Sequence, residues 1–390
     1  MILTAKQQEG LRTAVARFKA GEPYTCIAGY AGTGKSTLVQ FIVSALNLHP
    51  EDVAYVAFTG KAASVLRHKG CPNAMTAHKL LYYSQRKPDG KFVFKPRKTL
   101  EQNYKLIVVD EISMLSIDLW LQLLSHRIHI IACGDPFQIP PIQKNTDNHV
   151  LDKPHVFLDE IMRQAAESEI VRLSMDIRNY KPFDFSKGSE VMVIPKRYLV
   201  PGMYNWADQI ITATNARRHE INKLMREAAG RSGAPTVGDK IICGHNNWDI
   251  VDTTGEAALV NGTIAYIDEI YEDTITSYPH RFVPNAVPIF NTTFTTPEGE
   301  TFEDVMIDRN NIMEGKKFLT PEQEFKLHKL GLDTPVEFDY GYAITGHKSQ
   351  GSQWDKVLVF EEKFPFEQEA HARWLYTACT RAAKKLVLVR

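Results

Sequence analysis

The stretch Gly29-Tyr30-Ala31-Gly32-Thr33-Gly34-Lys35-Ser36 constrains this chain more than any other, because it matches G-x-x-x-x-G-K-[ST], the pattern of a phosphate-binding loop. The run before it, Tyr24 to Ala28, reads as a short buried strand. The run after it, Lys35 to Leu46, carries apolar residues at helical spacing and reads as a helix. The loop therefore falls between a strand and a helix N-terminus, where its chemistry needs it. Glycines at 29, 32 and 34 let the backbone curl and turn its N–H groups inward into an anion-binding nest. The positive end of the helix dipole adds to that field. Lys35 is expected to reach the β- and γ-phosphates of a nucleotide, and the Ser36 hydroxyl to ligate Mg²⁺.

A chain of 390 residues holds two to four domains, each with its own core. Its formal net charge is zero, so a globally basic nucleic-acid binder is not indicated, although a local basic channel is compatible with it. The five cysteines (26, 71, 133, 243, 379) are far apart and form no C-x-x-C pair. That points to a reducing compartment and away from a zinc site or disulfide scaffold. No apolar run is long enough to cross a bilayer, and the N-terminus enters a helical pattern at once without a signal peptide. The expected setting is the cytoplasm, bacterial or phage-infected.

In chain order, Thr4 is a candidate N-cap for a helix through Phe18. Gln7 and Gln8 lie in its first turn. A glutamine amide can pair with an adenine edge, or the two can simply be solvated. Val53 to Phe58 reads as a second buried strand. Thr59-Gly60-Lys61-Ala62-Ala63 then opens a helix with small residues and a hydroxyl, which suits a nucleic-acid phosphate. Thr76-Ala77-His78-Lys79 is a similar polar knuckle. Between Tyr82 and Lys98, Pro88-Asp89-Gly90 marks a hairpin turn. Basic residues at 86, 87, 91, 95, 97 and 98 face the single acid Asp89, and aromatics at 82, 83, 92 and 94 interleave with them. The pattern suits contact with a nucleic-acid strand by charge and stacking; the alternative is a hairpin whose aromatics pack on the domain beneath.

Leu106 to Val109 is an apolar strand that ends in Asp110-Glu111. An aspartate there can hold Mg²⁺ through its water shell, and the adjacent glutamate can orient and deprotonate the attacking water. Two charges at the end of a buried strand have a poor structural excuse. The strand from Ile128 to Ala132 runs into Gly134-Asp135-Pro136-Phe137-Gln138-Ile139-Pro140-Pro141, where Gln138 is a candidate γ-phosphate sensor in what is otherwise a proline-rich loop.

The motif order is GYAGTGKST, AFTGKAASVLR, TAHKLL, VVDEISM, GDPFQIPP, MRQ, TNARRHEIN, YAITGHKSQGSQWDKV and YTACTRA. This set resembles the superfamily 1 helicases, specifically the RecD/Dda-like branch that moves 5′ to 3′ on single-stranded DNA. The match runs from Leu3 to Val389 and is weakest over 230–335. It implies an α/β fold with two RecA-like P-loop domains in tandem, a β-hairpin inserted in the first and a small Src-homology-3-like β-barrel in the second. The implied boundaries are 1–150 with a hairpin "pin" at 82–103, then 151–228 together with 336–390, and an inserted barrel at 229–335.

The same resemblance places ATP and Mg²⁺ in the cleft between the RecA-like domains. Gln7 would meet the adenine. Gly29, Ala31, Gly32, Thr33, Gly34, Lys35, Ser36 and Thr37 would cradle the phosphates, with Gln350 and Gly351 also on the ATP cleft. Ser36 and Asp110 would hold the metal, Glu111 would be the general base, and Gln138, Arg163 and Arg381 would surround the γ-phosphate. Thr59, Lys61, His78, Phe92, Phe94, Asn215, Thr345 and His347 would lie along the strand. The implied partners are single-stranded DNA and a DNA fork, acted on by a monomeric motor. RNA stays an alternative, because stacking and phosphate contacts do not read the sugar.

In the second half, the run from Phe157 through Arg163 reads as entering a helix that ends near Leu173. An arginine supplied across a cleft neutralises charge on a transferring phosphoryl group, whereas Arg163 read alone is a surface arginine. Asn215 opens a helix after the strand Gln209 to Ala213, and on sequence alone it reads as the cap. Short strands with an Asn261-Gly262 turn begin near Val237, and 271–305 is acidic and irregular without an assignable element. Thr320 and Pro321 open a helix to Leu330. Tyr342 to Gly351 reads as a binding loop, with a glycine at 346 where the family more often carries a larger residue. Arg381 ends the last helix, either as a second finger or as a favourable cation at a helix C-terminus. Two other classes stay open: an ATP-gated strand translocase or remodeller that does not unwind, and a small-molecule P-loop kinase.

Overall fold

The computed structural model describes residues 3–59, 62–63, 66–67, 70–71, 73–86, 92–140, 148–162, 166–255 and 257–390; the side chains of 84–86, 92–94 and 248 are outside that description. The chain divides into two compact units. One comprises Met1–Tyr82, Pro96–Arg218 and Ile344–Arg390, the other Tyr83–Lys95 and His219–Ala343. Among the described residues no helix is long and apolar enough to cross a membrane, and the five cysteines are buried and form no disulfide.

The first unit holds two six-stranded sheets. In the first, the order is Met75–Thr76, Val53–Ala57, Leu106–Val109, His129–Gly134, Tyr24–Gly29, Val156–Leu158, and every neighbouring pair is parallel. Its strands are nearly continuous apolar runs because both faces are covered. Successive residues point to opposite faces. Cys26, Ala54, Ile107 and Ile130 enter a core with Trp120 and Leu123. Ile27, Val53, Leu106 and Ile131 enter another with Ala14, Leu38 and Ile42. The carboxyl ends of three adjacent strands thus bring the glycine-rich loop, Asp110 and Asp135 side by side, the usual place for a ligand in an open parallel sheet.

The second sheet runs Ala343–Thr345, Gln209–Thr212, Trp354–Phe360, Ala382–Val389, Val191–Ile194, Ser186–Lys187. Gln209–Thr212 through Val191–Ile194 are parallel, and Ser186–Lys187 adds an antiparallel edge. The helix Gln368–Cys379 buries Trp374 and Tyr376.

The second unit is built on an antiparallel sheet ordered Thr301–Asp308, Val287–Thr295, Ile264–Ile275, Lys240–Cys243, Phe338–Tyr340. Phe290, Phe294, Phe302 and Phe338 fill its core. Its two edge strands approach each other: the Asp308 N–H donates to Val336 O at 2.9 Å, and the Val336 N–H to Met306 O at 2.7 Å. A buried ion pair joins Arg226 to the fully buried Asp239 at 3.1 Å, and Arg226 also donates to the carbonyls of Gly233 and Ala234. A separate two-stranded sheet pairs Tyr82–Arg86 with Phe92–Pro96.

Three expectations change. The stretch 271–305 is not irregular but lies largely in long antiparallel strands. Beyond Ile267 the strand Ile264–Ile275 is mostly exposed, so it shows no apolar alternation. Phe157 sits in the strand Val156–Leu158, and the helix that follows is Glu169–Arg178, begun after Ser168. The strand expected from Val237 starts only at Lys240.

Candidate nucleotide site

The loop after Tyr24–Gly29 takes the shape that its glycines permit. Gly32 and Gly34 have φ of 77° and 76°, in the left-handed region that suits glycine. Gly34 is the N-cap of the helix Lys35–Ala45 and supplies no side-chain cap, so the first N–H groups of that helix face outward for an anion. Thr33 is buried, and its hydroxyl donates to Tyr30 O at 2.8 Å. Lys35 Nζ folds over the loop, donating to Gly29 O at 2.6 Å and Tyr30 O at 3.1 Å. Thr37 is half-buried in the first turn of the helix.

Gln7 is only 1% exposed, so it is not a solvated surface residue. Its Oε1 accepts from the Thr4 N–H at 3.0 Å while Thr4 Oγ1 accepts from the Gln7 N–H at 3.3 Å, a capping box. Its Nε2 donates to Thr33 O at 3.1 Å, which seats the helix start against the loop. Gln8 instead is exposed and donates to Leu3 O.

Ser36, exposed at the helix start, and Asp110 line one small recess of about 30 Å³ together with Val39, Cys133 and Tyr55. A hydroxyl and a carboxylate at a shared recess fit a Mg²⁺ that takes its other ligands from water and phosphate.

Glu111 has φ of 51°, an uncommon backbone for a residue with a Cβ and a frequent mark of functional sites. Its Oε1 lies 3.3 Å from Gln138 Nε2 and 3.9 Å from an Arg381 Nη1. Gln138 Oε1 is buried and has no hydrogen-bond partner, an acceptor left over for a water or ligand. Arg381 is 5% exposed and does not turn to bulk water. It donates to Thr377 O, Ser352 O and Thr380 Oγ1 at 3.0 to 3.3 Å. Gln350 Nε2 donates to Ile139 O at 2.5 Å, and Gly351 sits beside Met114 and Thr59. The structure therefore brings Glu111, Gln138 and Arg381 together, with Gln350 hydrogen-bonded to the loop that carries Gln138.

The strand candidates are more dispersed. Thr59 Oγ1 caps its own turn, accepting from the Ala62 N–H at 3.1 Å. His78 stacks on Tyr82 at 5.6 Å, and burial pushes its imidazole down to about 4, so it is neutral at pH 7. Burial also lowers His347, which sits in a short turn after the strand ending at Thr345. Gly346 is demanded by packing, because a Cβ there would come within 2.5 Å of the Trp374 indole nitrogen. Asn215 is exposed at the start of its helix, but Thr214 caps it: Thr214 Oγ1 accepts from the Arg217 N–H at 3.3 Å. Lys61, Arg163 and the side chains of Phe92 and Phe94 lie outside the described residues. Met162, just ahead of Arg163, donates its N–H to Gly32 O at 3.0 Å.

Two residues at this site, Tyr376 at the start of YTACTRA and Asp135 in GDPFQIPP, were not singled out as site residues from the sequence. Tyr376 is 1% exposed; its hydroxyl accepts from the Ala31 N–H at 2.7 Å and donates to Asp135 Oδ2 at 2.5 Å. An aromatic in an apolar helix reads as core. Asp135 is also buried; burial pushes its carboxyl up, and the Lys35 ammonium and Tyr376 hydroxyl draw it back. Its position directly after a strand, like that of Asp110, was the available clue.

The comparisons with known proteins agree with this geometry. Residues 3–186 match the family model described as AAA domain, and residues 340–389 the one described as UvrD-like helicase C-terminal domain. The chain is 26% identical to the ATP-dependent RecD2 DNA helicase of Deinococcus radiodurans over 93% of its own length but only 46% of that protein, so it spans less than half of that relative. It is 33% identical to the uncharacterized protein R530 of Acanthamoeba polyphaga mimivirus, covering 92% of this chain and 94% of that one. In fold it is similar to a Pif1 helicase solved in work on unwinding at forked DNA, with a TM-score of 0.54 and 18% identity over 100% of this chain and 92% of that one. The two parallel sheets accordingly have the fold of tandem RecA-like domains, and the chain is similar to the RecD2 and Dda helicases.

Proposed function

We propose that this chain is an ATP-driven motor that moves 5′ to 3′ along single-stranded DNA as a monomer and separates duplex at a fork. The observation that carries the proposal is the meeting of Glu111 and Gln138, from the first sheet, with Arg381, from the last helix of the second. Hydrolysis then depends on both sheets, and nucleotide biases how they close on one another. The similarity to the RecD2 and Dda DNA helicases supports DNA as the track.

The roles follow from position. The loop N–H groups and Lys35 grip the phosphates once Lys35 leaves the Gly29 and Tyr30 carbonyls. Glu111 takes a proton from the attacking water, which Gln138 helps to orient. Arg381 and Arg163 neutralise charge on the departing phosphate. Ser36 and Asp110 would hold Mg²⁺, which when bound polarises the phosphoryl oxygens. Gln7 would select adenine by exchanging its bond to Thr33 O for the base edge. Thr59, Lys61, His78, Asn215, Thr345 and His347 would line the strand.

The proposed domains are 1–150, 151–228 with 336–390, and 229–335. The last is a small barrel, a reading supported by the approach of its sheet edges at Val336. The hairpin within 82–103, with Phe92 and Phe94, would be the wedge. The test is ATP turnover with and without single-stranded DNA, paired with unwinding of 5′-tailed and 3′-tailed duplexes. Strand-stimulated turnover and unwinding of the 5′-tailed duplex alone are expected. Turnover indifferent to DNA would leave a small-molecule kinase, and stimulation without unwinding would leave a translocase.

A further inference from the structure

Five backbone and side-chain groups of one loop, Asp135 to Ile139, are held by the C-terminal part of the chain. Asp135 Oδ2 accepts from the Tyr376 hydroxyl. Pro136 O accepts from Arg373 Nη1 at 3.1 Å. The Phe137 ring meets Tyr376 edge-on at 5.2 Å and lies under the Arg373 guanidinium. The Ile139 N–H donates to Thr377 Oγ1 at 3.0 Å, and Ile139 O accepts from Gln350. This loop presents Gln138 to Glu111. The phosphate loop hangs on the same helix through the Ala31 N–H, and its Tyr30 ring lies 3.7 Å beneath the Arg178 guanidinium.

Tyr376 joins these two loops through a single oxygen, with the bond directions fixed by chemistry. An amide N–H can only donate, so the phenolic proton must go to the Asp135 carboxylate. Packing alone would be served by phenylalanine. A buried hydroxyl is costly unless it is paired, and here both of its partners belong to nucleotide-site loops.

We propose that Tyr376 is a positioning residue that couples the grip of the phosphate loop to the placement of Gln138 and of Arg381, which follows at the end of the same helix. When the Ala31 N–H shifts toward a phosphate, the Tyr376 hydroxyl carries that shift to Asp135 and its loop, and so to the helix that bears Arg381. The coupling passes through contiguous hydrogen bonds, the kind of link that double-mutant cycles can test. The inference rests on the ATP-hydrolysing function proposed above.

The test uses Tyr376→Phe in the full chain, which keeps the ring and its contact with Phe137. Strand-stimulated kcat is expected to fall about tenfold with KM for ATP within about twofold, the scale of one lost buried hydrogen bond felt mainly in the transition state. In an Arg381→Ala background the same change is expected to add little, because both act on one step. Amide exchange at Asp135 and at Phe137, Gln138 and Ile139 is expected to quicken without nucleotide or turnover. A kcat within twofold of the native chain, a loss carried wholly by KM, full additivity with Arg381→Ala, or unchanged exchange in that loop would each overturn the role of Tyr376. Absence of ATP turnover in the native chain would instead defeat the proposed function, and the exchange measurement would then decide the coupling by itself.

Discussion

In both parallel sheets a strand ends in a turn that starts a helix and offers donors to an anion. After Tyr24–Gly29 the turn is the glycine-rich loop, whose helix has no side-chain cap and whose Lys35 ammonium folds back on two loop carbonyls, with no carboxylate of the chain on its donors among the described residues. After Gln209–Thr212 the corresponding donors are filled from within. The N–H groups of Ala213 and Thr214 and the Thr214 hydroxyl all donate to the Glu362 carboxylate, at 2.8 to 3.0 Å. Both turns answer the same need, since the start of a helix leaves N–H groups without partners. The first sheet leaves that need to an outside anion, and the second meets it with a carboxylate of its own chain.

This contrast breaks most directly at Lys35. Lys35→Ala should abolish ATP turnover and weaken nucleotide binding, because no internal anion replaces the phosphate contact. Arg381→Ala, on the second sheet's helix, should lower kcat on the order of a thousandfold while nucleotide still binds, as expected for a group that acts on the transferring phosphate. Turnover kinetics and equilibrium binding of a fluorescent ATP analogue separate the two outcomes. Normal hydrolysis by Arg381→Ala would remove the shared site.

Glu362→Gln sharpens the comparison with a smaller effect. An amide keeps one acceptor oxygen but loses the charge, so the three donors at 213–214 lose part of their partner. The expected cost is about 1–2 kcal/mol of stability, measurable by denaturant unfolding, with the phosphate loop untouched. A cost no larger than that of a surface substitution would mean that the second turn does not need its carboxylate.

An effect that is absent at neutral pH concerns a third helix start, after Met75–Thr76, which Thr76 fills by accepting from the Lys79 N–H. The next residues bury His78 as neutral imidazole. Its folded value of about 4 lies below the ordinary value of 6.5, so protonation favours the unfolded chain. Its contribution is complete above about pH 6.5 and is lost as the pH falls toward 4; it amounts to roughly 2 kcal/mol of lost stability at pH 5. Thermal midpoints measured from pH 7 to pH 5 should fall, and His78→Gln should flatten part of that slope.

Much of the first sheet was legible because parallel strands buried on both faces are written as short apolar runs, each followed here by a polar motif. Lys35, Asp110 and Glu111 sit at the ends of such runs, so local spacing located them. The helix at Thr4 also carried its own signal, a threonine followed three residues later by glutamine. That pattern explains where the Gln7 amide rests in this structure better than an adenine contact does. The second unit was harder to read. In Ile264–Ile275 only Ile264, Ala265 and Ile267 are buried. Register shifts between Ile267 and Glu269, and between Thr292 and Phe294, break any two-residue period. Phe157 misled because its strand has three residues and its own ring is 39% exposed. The contacts of Tyr376, which opens the quoted YTACTRA motif, were illegible for a different reason. Its partners, Ala31 and Asp135, are 345 and 241 residues away in the chain, and no local pattern encodes such a bond.

The left-handed backbone at Glu111 has a further consequence. A side chain larger than that of glycine or asparagine sits uneasily there, at a penalty of about 1 kcal/mol or more. The chain thus keeps the proposed proton acceptor where the peptide geometry would prefer another residue. A Glu111→Asn or Glu111→Gly protein, unable to turn over nucleotide, should melt no lower than the native one. Selection for robustness alone would have discarded this glutamate, and the proposed catalytic role gives the chain a reason to keep it.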